Sequence, residues 1–205
     1  MKYPSLVLFS GLLLLPQTAF AHLVSTRFGE FYSGVLHPLT TLIHLVPWMA
    51  IALLVGLQKH TDYSKWALLI FPGTTFLGAA IGGEFTQPDW LYWLNLASFF
   101  VGILVALALN LKPAVFIAVL AIFGFSHGFA NAETELRGSD FLLYVIGVAA
   151  AAYLLIALLS AASKLAAQHA QWSSVAVRAG GSWILAVGII YSGYTLMSPA
   201  GVVGM

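Results

Sequence analysis

Apolar residues run along this chain in long, nearly unbroken stretches separated by short polar connections. Six such stretches follow residue 35: Leu36–Leu57, Trp66–Gly82, Trp90–Leu109, Pro113–Ala130, Phe141–Ser163 and Ala179–Met197. Each approaches the roughly 20 residues that a bilayer crossing demands. Backbone groups inside lipid must bond internally, so the stretches predict helices. The second and fourth are short. Pro72, Gly73, Gly78, Gly82, Gly83, Gly124 and Gly128 predict bends or close helix packing there. The connections are short enough to favour antiparallel neighbours.

A further apolar run opens the chain. Lys2, the segment Leu6 to Leu15 and the small-x-small site Ala19-Phe20-Ala21 predict a secretory signal over residues 1–21. Cleavage after Ala21 leaves His22 as the first mature residue; an uncleaved anchor helix is the other reading. The expected fold class is an all-α integral membrane protein. A cleaved signal peptide precedes a six-helix transmembrane bundle, with residues 22–205 as one membrane domain.

Composition agrees and narrows the field. Of 205 residues 60% are hydrophobic and 7% charged, with mean hydropathy +0.94. So few charges cannot coat a soluble body, where about a quarter of residues are charged. A net charge of +1 without a basic patch excludes nucleic-acid binding. The absence of cysteine removes disulfides and thiolate chemistry.

The charges also set an orientation. With the mature N-terminus outside, the inner connections carry Lys59, Lys65, Lys112, Lys164 and Arg178, and the outer segments carry Arg27 and Arg137. That is the positive-inside bias, and it places the C-terminus outside too. Trp66, Trp90, Tyr92, Trp93 and Trp183 fall near span ends, as an interfacial aromatic belt requires.

On this topology His60 and His169 are cytoplasmic and solvated. His22, His37, His44 and His127 collect at the outer side, with Glu84, Glu133 and Glu135. His37 and His44 are seven residues apart, two helical turns, so they share a face about 10 Å apart along the axis. That suits two successive stations better than one shared ion, unless Pro38 or Pro47 bends the helix; Thr40 and Thr41 between them offer oxygen ligands. Imidazole with a nearby carboxylate suits Ni, Co, Cu or Zn. A mature N-terminal His22 could chelate through its amine and ring. The metal-ligand candidates are His22, His37, His44, His127, Glu84 and Glu133. Plainer roles stay open: helix–helix hydrogen bonding for each histidine and for Asn95, interfacial capping for Glu84, solvated loop charges for Glu133 and Glu135.

The order of motifs resembles the HupE/UreJ family of hydrogenase and urease accessory membrane proteins. The segment Ala21-His22 matches the family's mature His start. His37-Pro38-Leu39-Thr40-Thr41-Leu42-Ile43-His44 is similar to its H-P-x-x-G-x-D-H. Leu77 to Glu84 is a similar glycine-rich end, and His127-Gly128-Phe129-Ala130-Asn131 is similar to its H-G-x-A-H. Thr41, Ile43 and Asn131 depart from the family's Gly, Asp and His. The resemblance implies a bacterial inner-membrane permease for nickel or cobalt.

The expected function is inward transport of a divalent transition-metal ion. His37, His127 and Glu84 would form the outer station and His44 the next. No permanently bound cofactor and no enzymatic activity are expected. The expected partners are the metal ion, the bilayer, metalloenzyme maturation proteins and a second copy of the chain. Two rivals remain: a non-transporting metal-binding or assembly protein, and an intramembrane metal-dependent hydrolase using Ser126 or His127.

Overall fold

The computed structural model describes residues 29–60, 62–169 and 171–197. The proposed signal peptide and His22 lie outside them. Every regular element among the described residues is a helix: α1 (Glu30–Thr40), α2 (Leu42–Leu57), α3 (Asp62–Gly82), α4 (Asp89–Ala97), a 3-10 turn (Ser98–Phe100), α5 (Val101–Ala106), α6 (Pro113–Ala130), α7 (Gly138–His169) and α8 (Gln171–Met197).

Five units are long and apolar enough to cross a bilayer: α3, the run α4 to α5, α6, α7 and α8 from Trp172. A sixth arises only if α1 and α2 count as one span, and they meet at 78°. The continuous helix expected over Leu36–Leu57 is therefore broken at Thr41. The cause is local. Thr40 Oγ1 donates to the Leu36 carbonyl at 2.9 Å and Thr41 Oγ1 to the His37 carbonyl at 2.8 Å, closing off the last turn of α1. Thr41 is extended (φ −100, ψ 110), and its carbonyl accepts from the N–H groups of His44 and Leu45, which opens α2 in a new direction.

Gly78, Gly82, Gly124 and Gly128 serve packing and not bending. A Cβ on Gly78 would strike the Phe125 carbonyl, one on Gly128 the Thr75 carbonyl, and one on Gly124 the Thr74 hydroxyl. The two helices thus touch backbone to backbone, and α3 runs unbroken through Pro72. Gly34 on α1 and Gly147 on α7 make a second such contact. Helix α7 packs against α1, α2, α3 and α8, and α8 packs on α5.

Several helix ends differ from expectation. The third span stops at Ala106 and not Leu109. The Leu109 N–H bonds to the Leu104 carbonyl and the Ala108 N–H to the Val105 carbonyl, a Schellman end with Ala108 in the left-handed position at φ 49. Helices α7 and α8 run through most of the expected connection, since Lys164-Leu165-Ala166-Ala167-Gln168 are strong helix formers.

Cross-links between connections divide the charges between two ends. At one end Gln58 Nε2 bonds the Leu109 carbonyl at 2.9 Å, Gln58 Oε1 accepts the Leu111 N–H at 2.9 Å, and Arg178 Nε donates to the Ala106 carbonyl at 2.8 Å. This basic end gathers Lys59, Lys65, Lys112, Lys164 and Arg178. At the other, acidic end Gln87 Nε2 reaches the Ala130 carbonyl at 3.2 Å, tying the Glu84 connection to the Glu133–Glu135 connection.

Candidate functional site

Helix α2 places His44 within its first turn and α6 places His127 within its last. Both termini face the acidic end, so residues 83 positions apart meet inside the bundle. Their Nδ1 atoms are 2.8 Å apart, with the rings edge to face at 5.1 Å between centroids. His127 is 0% exposed and His44 5%. His127 Nε2 is 2.9 Å from the Ser98 hydroxyl, and that hydroxyl donates to the Asn95 carbonyl. The indole of Trp48 stands edge-on to His127 at 6.2 Å and to Phe71 at 5.6 Å.

These contacts fix the protons. A carbonyl only accepts, so the single Ser98 proton is committed to Asn95. His127 must therefore donate from Nε2 to Ser98, which leaves its Nδ1 bare. His44 must then donate from Nδ1, which leaves its own Nε2 as a bare lone pair. The two rings hold opposite tautomers, and the only ring nitrogen of the pair free to ligate is His44 Nε2. Other acceptors are bare nearby. Asn131 donates from Nδ2 to the His127 carbonyl at 2.7 Å, yet its Oδ1 is buried without a protein partner, as is Asn95 Oδ1. Buried acceptors with no donor suit a cation or water.

The other candidates fall as follows. His37 is half-buried on α1, its ring 6.3 Å from that of Tyr144. The half-buried Glu133 carboxylate is within electrostatic reach of His37 and Tyr144, and His37 is within reach of His44. Of these four, His44 and His127 are in contact at 2.8 Å, and His37 and Glu133 are half-buried toward the acidic end. His37 and His44 do not share one helix face, because the break at Thr41 separates them. His127 is partnered by His44 and Ser98, whereas the sequence grouped it with His37 and Glu84. Glu84 is exposed at the end of α3, Glu135 is exposed, and so are His60 and His169. Among the described residues no three His, Asp or Glu side chains converge on one point.

Ser98 was not among the sequence candidates. Its signal was the pair Asn95 and Ser98, three apart in an otherwise apolar span, which predicts one shared polar face.

Beneath the pair, toward the basic end, Trp48, Ile51, Leu54, Phe71, Leu120 and Phe116 are all buried. They form a dry layer that ends at Tyr63, whose ring stacks on Phe116 at 4.4 Å.

Helices of this length and hydropathy around a buried histidine pair define a multi-pass, all-helical membrane protein. The chain belongs to the HupE/UreJ family, whose description reads HupE / UreJ protein and whose match covers residues 10–191. No curated protein and no solved structure matches it.

Proposed function

We propose that this chain is a permease for a divalent transition-metal ion, nickel or cobalt by its family. The observation that carries the reading is the buried His44–His127 pair, with two buried amide oxygens, Asn95 Oδ1 and Asn131 Oδ1, that have no protein partner, and half-buried His37 and Glu133 toward the acidic end. Glu133 and His37 meet the ion first, and His44 receives it. Asn95 and Asn131 supply oxygens suited to a borderline cation. Glu84, at the same side, collects ions from solution, and His22 as the mature N-terminus would add a chelating amine and ring.

In this reading the signal peptide is removed after Ala21 and α1 with α2 forms the first of six spans. The protein sits in the bacterial inner membrane with its acidic end and both termini outside. The basic end inside satisfies the positive-inside bias. The membrane potential drives the ion inward, worth about 2.3 kcal/mol per charge per 100 mV. In this reading the protein carries no resident cofactor and catalyses no reaction.

A second reading has its own support. The apolar layer below the pair offers an ion no ligand toward the basic end. A protein that only binds metal and passes it to maturation partners would need no such ligands.

Equilibrium dialysis of purified protein against Ni2+ tests the shared claim. Wild type should bind about one ion per chain, and H44A should lose it. Equal binding by H44A, folded by circular dichroism, would remove His44 from the site.

A further inference from the structure

At the basic end, the last turn of α2 and the late turns of α7 enclose a pocket of about 340 Å³ lined by Gly56, Gln58, Lys59, Lys164 and Gln168. Its walls are closely packed. Gly56 lies against Ser160 and Ser163 of α7, and Ser163 Oγ donates to the Leu53 carbonyl at 3.1 Å. Gln58 spends both amide protons on the carbonyls of Leu54 and Leu109, so it is wall and not ligand. Lys59, Lys164 and Gln168 are left to bind. Among the described residues the one ion pair is Lys65 with Asp62 at 3.0 Å, and neither pocket lysine has a carboxylate partner. The C-terminal dipole of α2 contributes roughly half a negative charge against two positive ones. The pocket therefore keeps a net positive charge.

Beside it lies an apolar cleft lined by Leu165, Ala166, His169 and Trp172, joined to the basic pocket through Gln168, which lines both. Leu165 is 68% exposed and Trp172 72%. Exposed tryptophan at a span end marks the membrane interface, where basic pockets between helices take anionic headgroups.

We infer that Lys59, Lys164 and Gln168 bind a phosphate anion, and that its source is an anionic phospholipid whose headgroup sits at the level of Trp172 and whose acyl chains run back along α7 past the exposed Leu158 and Leu154, toward the bilayer centre. The lipid tethers α2 to α7 at the end remote from the histidine pair, so the inference stands whether or not the chain carries metal.

Native mass spectrometry of the purified full chain, titrated with phosphatidylglycerol, tests it. One lipid per chain should be retained. Each lysine near an anionic surface strengthens binding about fivefold, so K59Q/K164Q should weaken retention by about 30-fold. The charge-matched control K65Q/K112Q should stay within about twofold of wild type. K59R/K164R should restore the affinity, which separates lost charge from misfolding. Phosphatidylcholine should not be retained, and millimolar inorganic phosphate should compete weakly. Equal losses in both double Gln variants would overturn the site in favour of general surface charge. Stoichiometric phosphate binding that displaces the lipid fully would overturn the lipid assignment.

Discussion

Ser98 holds the proton pattern of the histidine pair, and S98A tests that pattern. Removing the hydroxyl strips His127 Nε2 of its partner, at 2.9 Å, on a ring that is 0% exposed. A buried donor left unsatisfied costs about 1–3 kcal/mol. In a chain of this size 1 kcal/mol moves the melting midpoint by about 2–4 °C, so S98A should melt some 2–12 °C lower. The tautomers respond as well. In wild type, 15N NMR of selectively labelled protein should show one buried ring protonated at Nδ1 and the other at Nε2. Two Nε2-protonated rings would set lone pair against lone pair at 2.8 Å. In S98A nothing ties the proton to His127 Nε2, and both rings should show mixed tautomers. S98T should restore both readouts. Two identical tautomers in wild type, or S98A with unchanged melting and unchanged tautomers, would refute the reasoning.

Three further outcomes follow. G128A should destabilise by about 1–3 kcal/mol, because its Cβ meets the Thr75 carbonyl and drives α3 from α6, whereas G73A has open space and should melt at or above wild type; thermal unfolding in detergent compares them. A108G should gain up to about 1 kcal/mol, since alanine at φ 49 carries a Cβ penalty that glycine lacks, and the same melting assay reads it. E133Q should weaken Ni2+ binding by about fivefold in dialysis while leaving the melting midpoint in place, because Glu133 acts on the histidines by charge across a half-exposed gap.

The apolar pattern made the spans legible, and the charges made the two ends legible. Five crossing units and the segregation of Lys59, Lys112 and Lys164 from Glu84 and Glu133 both stand in the structure. The break at Thr41 was hidden because it turns on two hydroxyls choosing the carbonyls of Leu36 and His37, a local competition that hydropathy does not register. The early stop of the third span was hidden because alanine fills a position where glycine would have announced it. The glycines of α3 and α6 left bends and close packing equally open, and only the facing backbone of Thr75 and Phe125 decides for packing.

At the site, the histidines stood out and their partners did not. Histidines rare in an apolar chain stood out as functional candidates. Their spacing along one helix predicted His37 and His44 as neighbours on a face. The pairing of His44 with His127 depends instead on how the helices pack, with α6 held against α3 at Gly128. A helix that breaks at Thr41 removes the shared face.

Ion flux into sealed proteoliposomes tests the central claim most directly. Wild-type protein is reconstituted with its acidic end outward, and radiolabelled Ni2+ is added outside under an inside-negative potential. The account predicts accumulation that rises with the potential, falls to the empty-vesicle level in H44A and falls several-fold in E133Q. Saturable binding to wild type with no accumulation at any potential would contradict transport and leave a membrane protein that only holds its metal.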